Sequence, residues 1–278
     1  MSADGGYAGP AADAELSRDI ARSVGRLLLE VRDAFGSIGP DDLARIRALG
    51  AAADRAAHEL VASRLTAARP GDVLLSEEGV DDPLRLAAER VWIVDPLDGT
   101  WEYGQGRADF AVHVVLWTRT PDGGALSAAT VDLPAAGTTY SVLDDVPVPA
   151  PVPRDRPVRV VVSRSRRPAG LDGTVARLAD RLAAEGLTDD GVEVAEVGSV
   201  GAKAAELFGG RAEVYLHDRG FSDWDLAAPL AVARHRGLWC ASPDGSELVF
   251  NRPSLVQPGI AMAVPAVASA VRHVLGLA

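Results

Sequence analysis

A chain of 278 residues can build one large domain or two modest ones around a sizeable core. Its net charge of −11 argues against nonspecific nucleic-acid binding, although an acidic protein still takes anionic ligands where metal ions supply positive charge. No apolar run reaches the ~18 residues of a membrane span, and the one cysteine, Cys240, rules out an internal disulfide and fits a reducing cytoplasm.

Residues 1–13 are rich in Ala and Gly, lack the basic segment of a signal peptide, and read as a flexible tail. From 14 to 35, Leu16, Ile20, Val24, Leu27, Leu28 and Val31 recur at spacings of three and four, which predicts a helix. Residues 36–42 break it, and a second helix is expected over 42–68 with an interruption at Gly50. A turn at 69–72 leads to a short strand, 73–75. The next strand starts near Arg90 and is expected to stop at Asp95. Strands follow at 111–118, 125–131 and 138–142, and their direct succession predicts antiparallel pairing. Five prolines between 147 and 157 mark a polyproline-II-like connector and a boundary. Beyond it, strand and helix alternate: strand 158–162, helix 172–185, strand 192–197, helix 200–208, strand 212–216 and helix 224–236. The expected fold class is α/β, an α+β layered sandwich. Its antiparallel-rich N-terminal sheet with helices spans 14–146, and a smaller mixed α/β half spans 158–278.

Three acidic elements carry the candidate chemistry. Glu77 and Glu78 follow a short apolar strand, in a functional role or as acids of a solvated turn. Asp95-Pro96-Leu97-Asp98-Gly99-Thr100 ends a buried strand, either as a capped turn or as a seat for a hard cation and a phosphate. Asp225 opens a helix, in a functional role or as a carboxylate facing the helix dipole. In combination the ligand reading gains weight, because all three lie where strands stop or helices start, the positions at which α/β folds gather ligands. Pro96 holds Asp95 extended before the chain turns, so Asp95 and Asp98 can converge and the Leu97 carbonyl is exposed. Gly99 and Thr100 offer N–H groups to a phosphate at a helix start.

The ordered motifs Leu-Ser-Glu-Glu (75–78), Trp-Ile-Val-Asp-Pro-Leu-Asp-Gly-Thr-x-Glu-Tyr (92–103), Gly-Ser-x-Gly-x-Lys (198–203) and Trp-Asp-x-Ala-Ala-Pro (224–229) resemble the inositol monophosphatase superfamily. The resemblance covers about residues 14–265. The Glu and aromatic that close the second motif are similar to the CysQ-type bisphosphate nucleotidase branch. This implies an inositol-monophosphatase-like fold and a lithium-sensitive, Mg²⁺-dependent phosphomonoesterase. Its substrate would be adenosine 3′,5′-bisphosphate or the sulfated form, cut at the 3′-phosphate to AMP and phosphate by in-line attack of water activated by two or three Mg²⁺ ions. The resemblance also implies metal carboxylates at Glu77, Asp95, Asp98 and Asp225, a carbonyl ligand at Leu97, and catalytic roles for Thr100, Asp54 and Glu77. Ala51 stands where the family carries a Thr three residues before Asp54. Two other readings remain: a phosphatase for an inositol or nucleoside 2′- or 3′-monophosphate, and a noncatalytic metal- or nucleotide-binding module.

At the substrate end, Ser163-Arg164-Ser165-Arg166 resembles the nucleotidase pattern Ser-Arg-Ser-His with Arg166 in place of His. Arg166 either pairs with phosphate and stacks on a base, or belongs to a solvated basic turn. Ser199 and Lys203, the only lysine, stand at a helix start, and Lys203 is expected at the substrate's second phosphate. Asp218, seven residues before Asp225, matches an acid that contacts a sugar hydroxyl in the monophosphatase branch. The expected partner is a small phosphorylated molecule, with no nucleic acid or membrane; a homodimer is a further expectation. His58, His235 and His273 read as solvated or helix-end cations, and His113 as a satisfied core residue. His217 has no His or Cys companion for a zinc centre. Trp92, Trp117 and Trp239 read as core, while Trp101 and Tyr103 sit beside the metal loop within reach of substrate.

Overall fold

The computed structural model of the chain describes residues 9–147, 151–153 and 155–277. Helix α1 (Pro10–Phe35) opens with a proline, and α2 (Leu43–Ala68) is capped by Asp42, whose carboxylate accepts the Arg45 N–H at 3.1 Å. The first helix begins before residue 14, its expected start. Asp13 is a buried residue of α1 that receives Arg69 at 2.8 Å and Arg90 at 3.0 Å, while 1–8 lie outside the described residues. Nor is α2 interrupted at Gly50. A Cβ there would come within 2.7 Å of the Thr100 methyl, so this glycine marks close packing rather than a break.

The first sheet contains β1 (Val73–Ser76), β2 (Arg90–Asp98), β3 (Ala111–Thr118), β4 (Ala125–Leu133) and β5 (Thr138–Ser141) in spatial sequence. The pair β1–β2 is parallel and the others are antiparallel. Helix α3 (Thr100–Gly104) lies between β2 and β3. The rest of the chain supplies β6 (Val158–Ser163), α4 (Leu171–Ala184), β7 (Val192–Val197), α5 (Val200–Phe208), β8 (Val214–His217), β9 (Phe221–Ser222), α6 (Asp223–His235), β10 (Trp239–Ala241), β11 (Val256–Gln257), β12 (Ile260–Ala263) and α7 (Pro265–Leu275). The second sheet runs β10-β12-β8-β6-β7, parallel across β8, β6 and β7 and antiparallel on the β12 side. Strands β9 and β11 form a separate two-residue ribbon.

Alternation along the strands sets the layers. Trp92 and Val94 of β2 face α1 and α2, whereas Val91 and Ile93 face the layer of α5 and α6. In β6, Val161 faces that middle layer, and Val158, Val160 and Val162 face α4 and α7. The result is five layers, with α5 and α6 between the two sheets. Strand β2 does not stop at Asp95 as expected. It continues through Pro96 to Asp98, and its register against β3 shifts between the two aspartates, an irregularity that turns both toward one place. Short strands β10 to β12 and helix α7 were not anticipated, and Trp239 is half-buried on the edge strand β10 rather than deep in the core. Of the proline connector, 148–150 and 154 lie outside the described residues.

Candidate active site

Asp95 and Asp98 come from the end of β2, and Asp225 from the first turn of α6. Each offers a carboxylate oxygen, and the three oxygens lie within 4.8 Å of one another. The β2 end is shaped by its own side chains. The Leu97 N–H donates to Asp95 Oδ1 at 3.0 Å, closing a tight turn. Thr100 Oγ1 lies 3.2 Å from the Leu97 carbonyl oxygen and 3.4 Å from Asp54 Oδ1 on α2. Gly99 joins the turn to α3 at φ +90°, a left-handed conformation that glycine takes without strain.

The carboxylates are held from outside. Asp98 Oδ2 accepts the Gly201 N–H at 2.6 Å and lies 3.3 Å from His113 Nε2. His113 Nδ1 is 3.2 Å from the Trp224 carbonyl oxygen, so it is the donor there and ties β3 to the start of α6. His113 is a core residue as expected, but its other nitrogen faces a member of the acidic cluster. Asp225 Oδ2 accepts the Ser222 N–H at 2.7 Å within a capping box, so the helix-end and cluster readings of Asp225 hold together.

Like charges crowded in a buried place favour the protonated forms. Burial, and then the charges of Glu77, Asp98 and Asp225, push Asp95 well above the ordinary carboxylate range. Burial and then Asp98 push Asp225 up to about 6. Glu77 rises to about 7 through partial burial and then Asp225, Asp98 and Glu78. Asp54 also rises to about 7, through burial and then Glu78. Asp95 Oδ2 is buried without a hydrogen-bond partner among the described residues. An orphaned oxygen among mutually repelling carboxylates is what a bound cation relieves, and an all-oxygen donor set suits a hard one. These residues fit a metal ion.

A cavity of about 480 Å³ opens over the cluster. Glu77, Leu97, Gly99, Thr100, Ser163, Arg166, Ser199 and Lys203 line it with the three aspartates. Glu77 stands at its exposed edge, outside the 4.8 Å group. Arg164 is instead a brace: its guanidinium donates to Asp109 Oδ2 at 2.5 Å and lies 3.4 Å from Glu102 Oε1. Asp218 is exposed and off the cavity wall, accepting the Ala169 N–H at 2.7 Å ahead of α4. The Lys203 ammonium is buried and donates to the Gly198 and Ser199 carbonyls, the latter at 2.7 Å, which leaves one of its three hydrogens for a ligand. Burial lowers its pKa to about 8.

Tyr103 is turned away from the cavity. It is fully buried against Phe110 and donates to the Leu28 carbonyl at 2.7 Å, whereas Trp101 is exposed on the wall. His58 is half-buried and lies 3.0 Å from Ser76 Oγ. Sequence reasoning did not select Glu102, His217 or Phe221, which also line the cavity. Glu102 stood inside the quoted motif; the other two carried no pattern of their own.

The model of the inositol monophosphatase family matches residues 14–273. The chain belongs to the inositol monophosphatase family. It is 41% identical over 265 residues to the 3′-phosphoadenosine 5′-phosphate phosphatase of Mycobacterium leprae (strain TN), covering 92% of this chain and 90% of that one. It is 28% identical over 258 residues to the 3′(2′),5′-bisphosphate nucleotidase CysQ of Escherichia coli (strain K12), covering 88% and 97%. The crystal structure of CysQ from Bacteroides thetaiotaomicron superposes with a TM-score of 0.67 at 25% identity, covering 91% of this chain and 97% of that one. This family member thus carries the five-layered fold that the motifs implied.

Proposed function

We propose that this protein is a Mg²⁺-dependent phosphomonoesterase that removes the 3′-phosphate from adenosine 3′,5′-bisphosphate or its sulfated form, in the cytoplasm. The observation that carries the reading is the convergence of Asp95, Asp98 and Asp225 within 4.8 Å beside the Thr100–Asp54 pair. The names of the relatives from Mycobacterium leprae and Escherichia coli point to the same substrate class.

Asp95, Asp98, Asp225, the Leu97 carbonyl and Glu77 would hold the ions, two or three in number. When bound, Mg²⁺ lowers the pKa of water and neutralises charge on phosphate oxygens. The protein's own part is positional. Thr100 Oγ1, between Asp54 and the Leu97 carbonyl, can fix the direction of an attacking water, and Asp54, raised to about 7, can take up its proton. The N–H groups at Gly99 and Thr100 face the phosphate, and Arg166, exposed on the wall, is the cation available to a second one.

The engagement of Lys203 with two carbonyls favours one alternative, a substrate with a single phosphate. A phosphate-release assay separates the two. Adenosine 3′,5′-bisphosphate, its sulfated form, nucleoside 2′- and 3′-monophosphates and inositol 1-phosphate are compared with Mg²⁺ and with chelator. The nucleotidase reading requires the bisphosphates to show the highest kcat/KM, and metal-independent turnover or preference for inositol phosphate refutes it.

A further inference from the structure

His217, at the end of β8, is 2% exposed and lines the cavity, yet neither ring nitrogen has a hydrogen-bond partner among the described residues. Buried polar atoms are rarely left this way without a functional reason. One face of the ring is stacked on Phe221, with centroids 4.0 Å apart and planes at 18°. Phe221 belongs to the two-residue strand β9, which pairs with β11 and with neither five-stranded sheet. Among the charges that act most strongly on the imidazole, Lys203, Arg166 and Arg219 are cationic and Asp218 is acidic. Burial first, and then Lys203, hold the ring neutral, with its pKa lowered to about 4.

A neutral imidazole presents one donor and one acceptor, which matches a hydroxyl group and not a phosphate. Lys203, Arg166 and His217 line the same cavity as Asp95, Asp98 and Asp225. A phosphate ester seated at the cluster can therefore rest its sugar against His217 within that one cavity. We propose that His217 contacts the substrate's sugar and selects for the ribose hydroxyl beside the scissile ester, the 2′-hydroxyl of a 3′-phosphate. This rests on the nucleotidase reading and adds a basis for sugar selectivity.

The test compares kcat/KM for adenosine 3′,5′-bisphosphate and its 2′-deoxy analogue in wild type, His217→Leu and His217→Asn. Wild type should prefer the ribose substrate by about tenfold or more, because a site built for a hydroxyl rejects the analogue lacking it. His217→Leu should bring the ratio near one, and His217→Asn, which keeps a donor and an acceptor, should retain most of it. The ratio is taken within one preparation, so partial misfolding cancels. A wild-type ratio near one, or an unchanged ratio in His217→Leu, overturns the proposal. So does a variant that loses discrimination between adenosine and inosine bisphosphates while its sugar ratio is unchanged. If wild type hydrolyses neither adenosine substrate, the nucleotidase reading itself fails, and the proposal with it.

Discussion

Gly50→Ala separates helix propensity from catalytic geometry. Gly50 is a buried residue in the middle of α2, where replacement by alanine would ordinarily stabilise by about 0.5–1 kcal/mol. Here the new Cβ would come within 2.7 Å of Thr100 Cγ2, when ordinary contact begins at 3.4 Å. The methyl must retreat by roughly 0.7 Å, and a β-branched side chain retreats by turning about χ1. That rotation carries Oγ1 away from Asp54 and the Leu97 carbonyl, its neighbours at 3.4 and 3.2 Å. A displacement approaching 1 Å at a positioning group costs up to ~100-fold in rate. The expected result is a fall in kcat of about 10- to 100-fold with Tm changed by no more than ~4 °C, since propensity and crowding oppose each other. The assay is phosphate release with a parallel thermal melt. The double variant Gly50→Ala/Thr100→Ser removes the obstructing methyl and keeps the hydroxyl, so it should recover the rate of Thr100→Ser alone. A double variant as slow as Gly50→Ala would refute the steric reasoning.

Three further expectations concern the surroundings of the cluster. Between pH 6.5 and 7.5 the metal-free protein should lose thermal stability as pH rises. Glu77 and Asp54, near 7 when folded, then release protons that the unfolded chain has already given up near pH 4. His217, near 4, and His113, also lowered, act in the opposite sense mainly below about pH 6.5, their unfolded range, and Lys203, lowered to about 8, does so above about pH 7.5. Added Mg²⁺ should restore Tm increasingly with pH, and a Mg²⁺-induced shift that shrinks from pH 6.5 to 8 would contradict the metal assignment. Arg164→Met removes the cation between Asp109 and Glu102; because that network is half-exposed the loss should be about 1–2 kcal/mol. It should also lower kcat/KM, because Asp109 accepts the Gly198 N–H at 2.8 Å on the cavity rim; activity equal to wild type would show the brace to be idle. Tyr103→Phe should cost about 1 kcal/mol in urea denaturation through the lost bond to Leu28 and leave kinetics intact, and a changed KM would return Tyr103 to the substrate wall.

The parts of the site that could be read from the sequence are those in which local chemistry and position coincide. Asp-Pro-Leu-Asp-Gly-Thr carries its own turn: proline sets the approach, Asp95 bonds the Leu97 N–H, and glycine supplies the left-handed joint. The long apolar periods of α1 and α2, the continuous apolar run of β3 and the alternation of β7 declare themselves in the same local way. What could not be read depends on distant partners. Gly50 looks like a helix break until Thr100 is packed against it. Arg164 looks like a phosphate ligand until Asp109 and Glu102 come round to meet it from 55 and 62 residues away. Lys203 stands out as the single lysine, but its rarity in the sequence carries no information about the two carbonyls one helical turn behind it. The same reasoning explains why His113 and His217 read alike in the sequence and differ in the fold. Both are single histidines at strand positions with no spaced companion. One bonds the Trp224 carbonyl through Nδ1 and brings an unbonded Nε2 to 3.3 Å from Asp98, and the other reaches the cavity wall with both nitrogens unmet. The distinction between a residue that positions the site and one that is left for the ligand is therefore made by the packing of α6 and β9 around them, not by the residue or its neighbours in sequence.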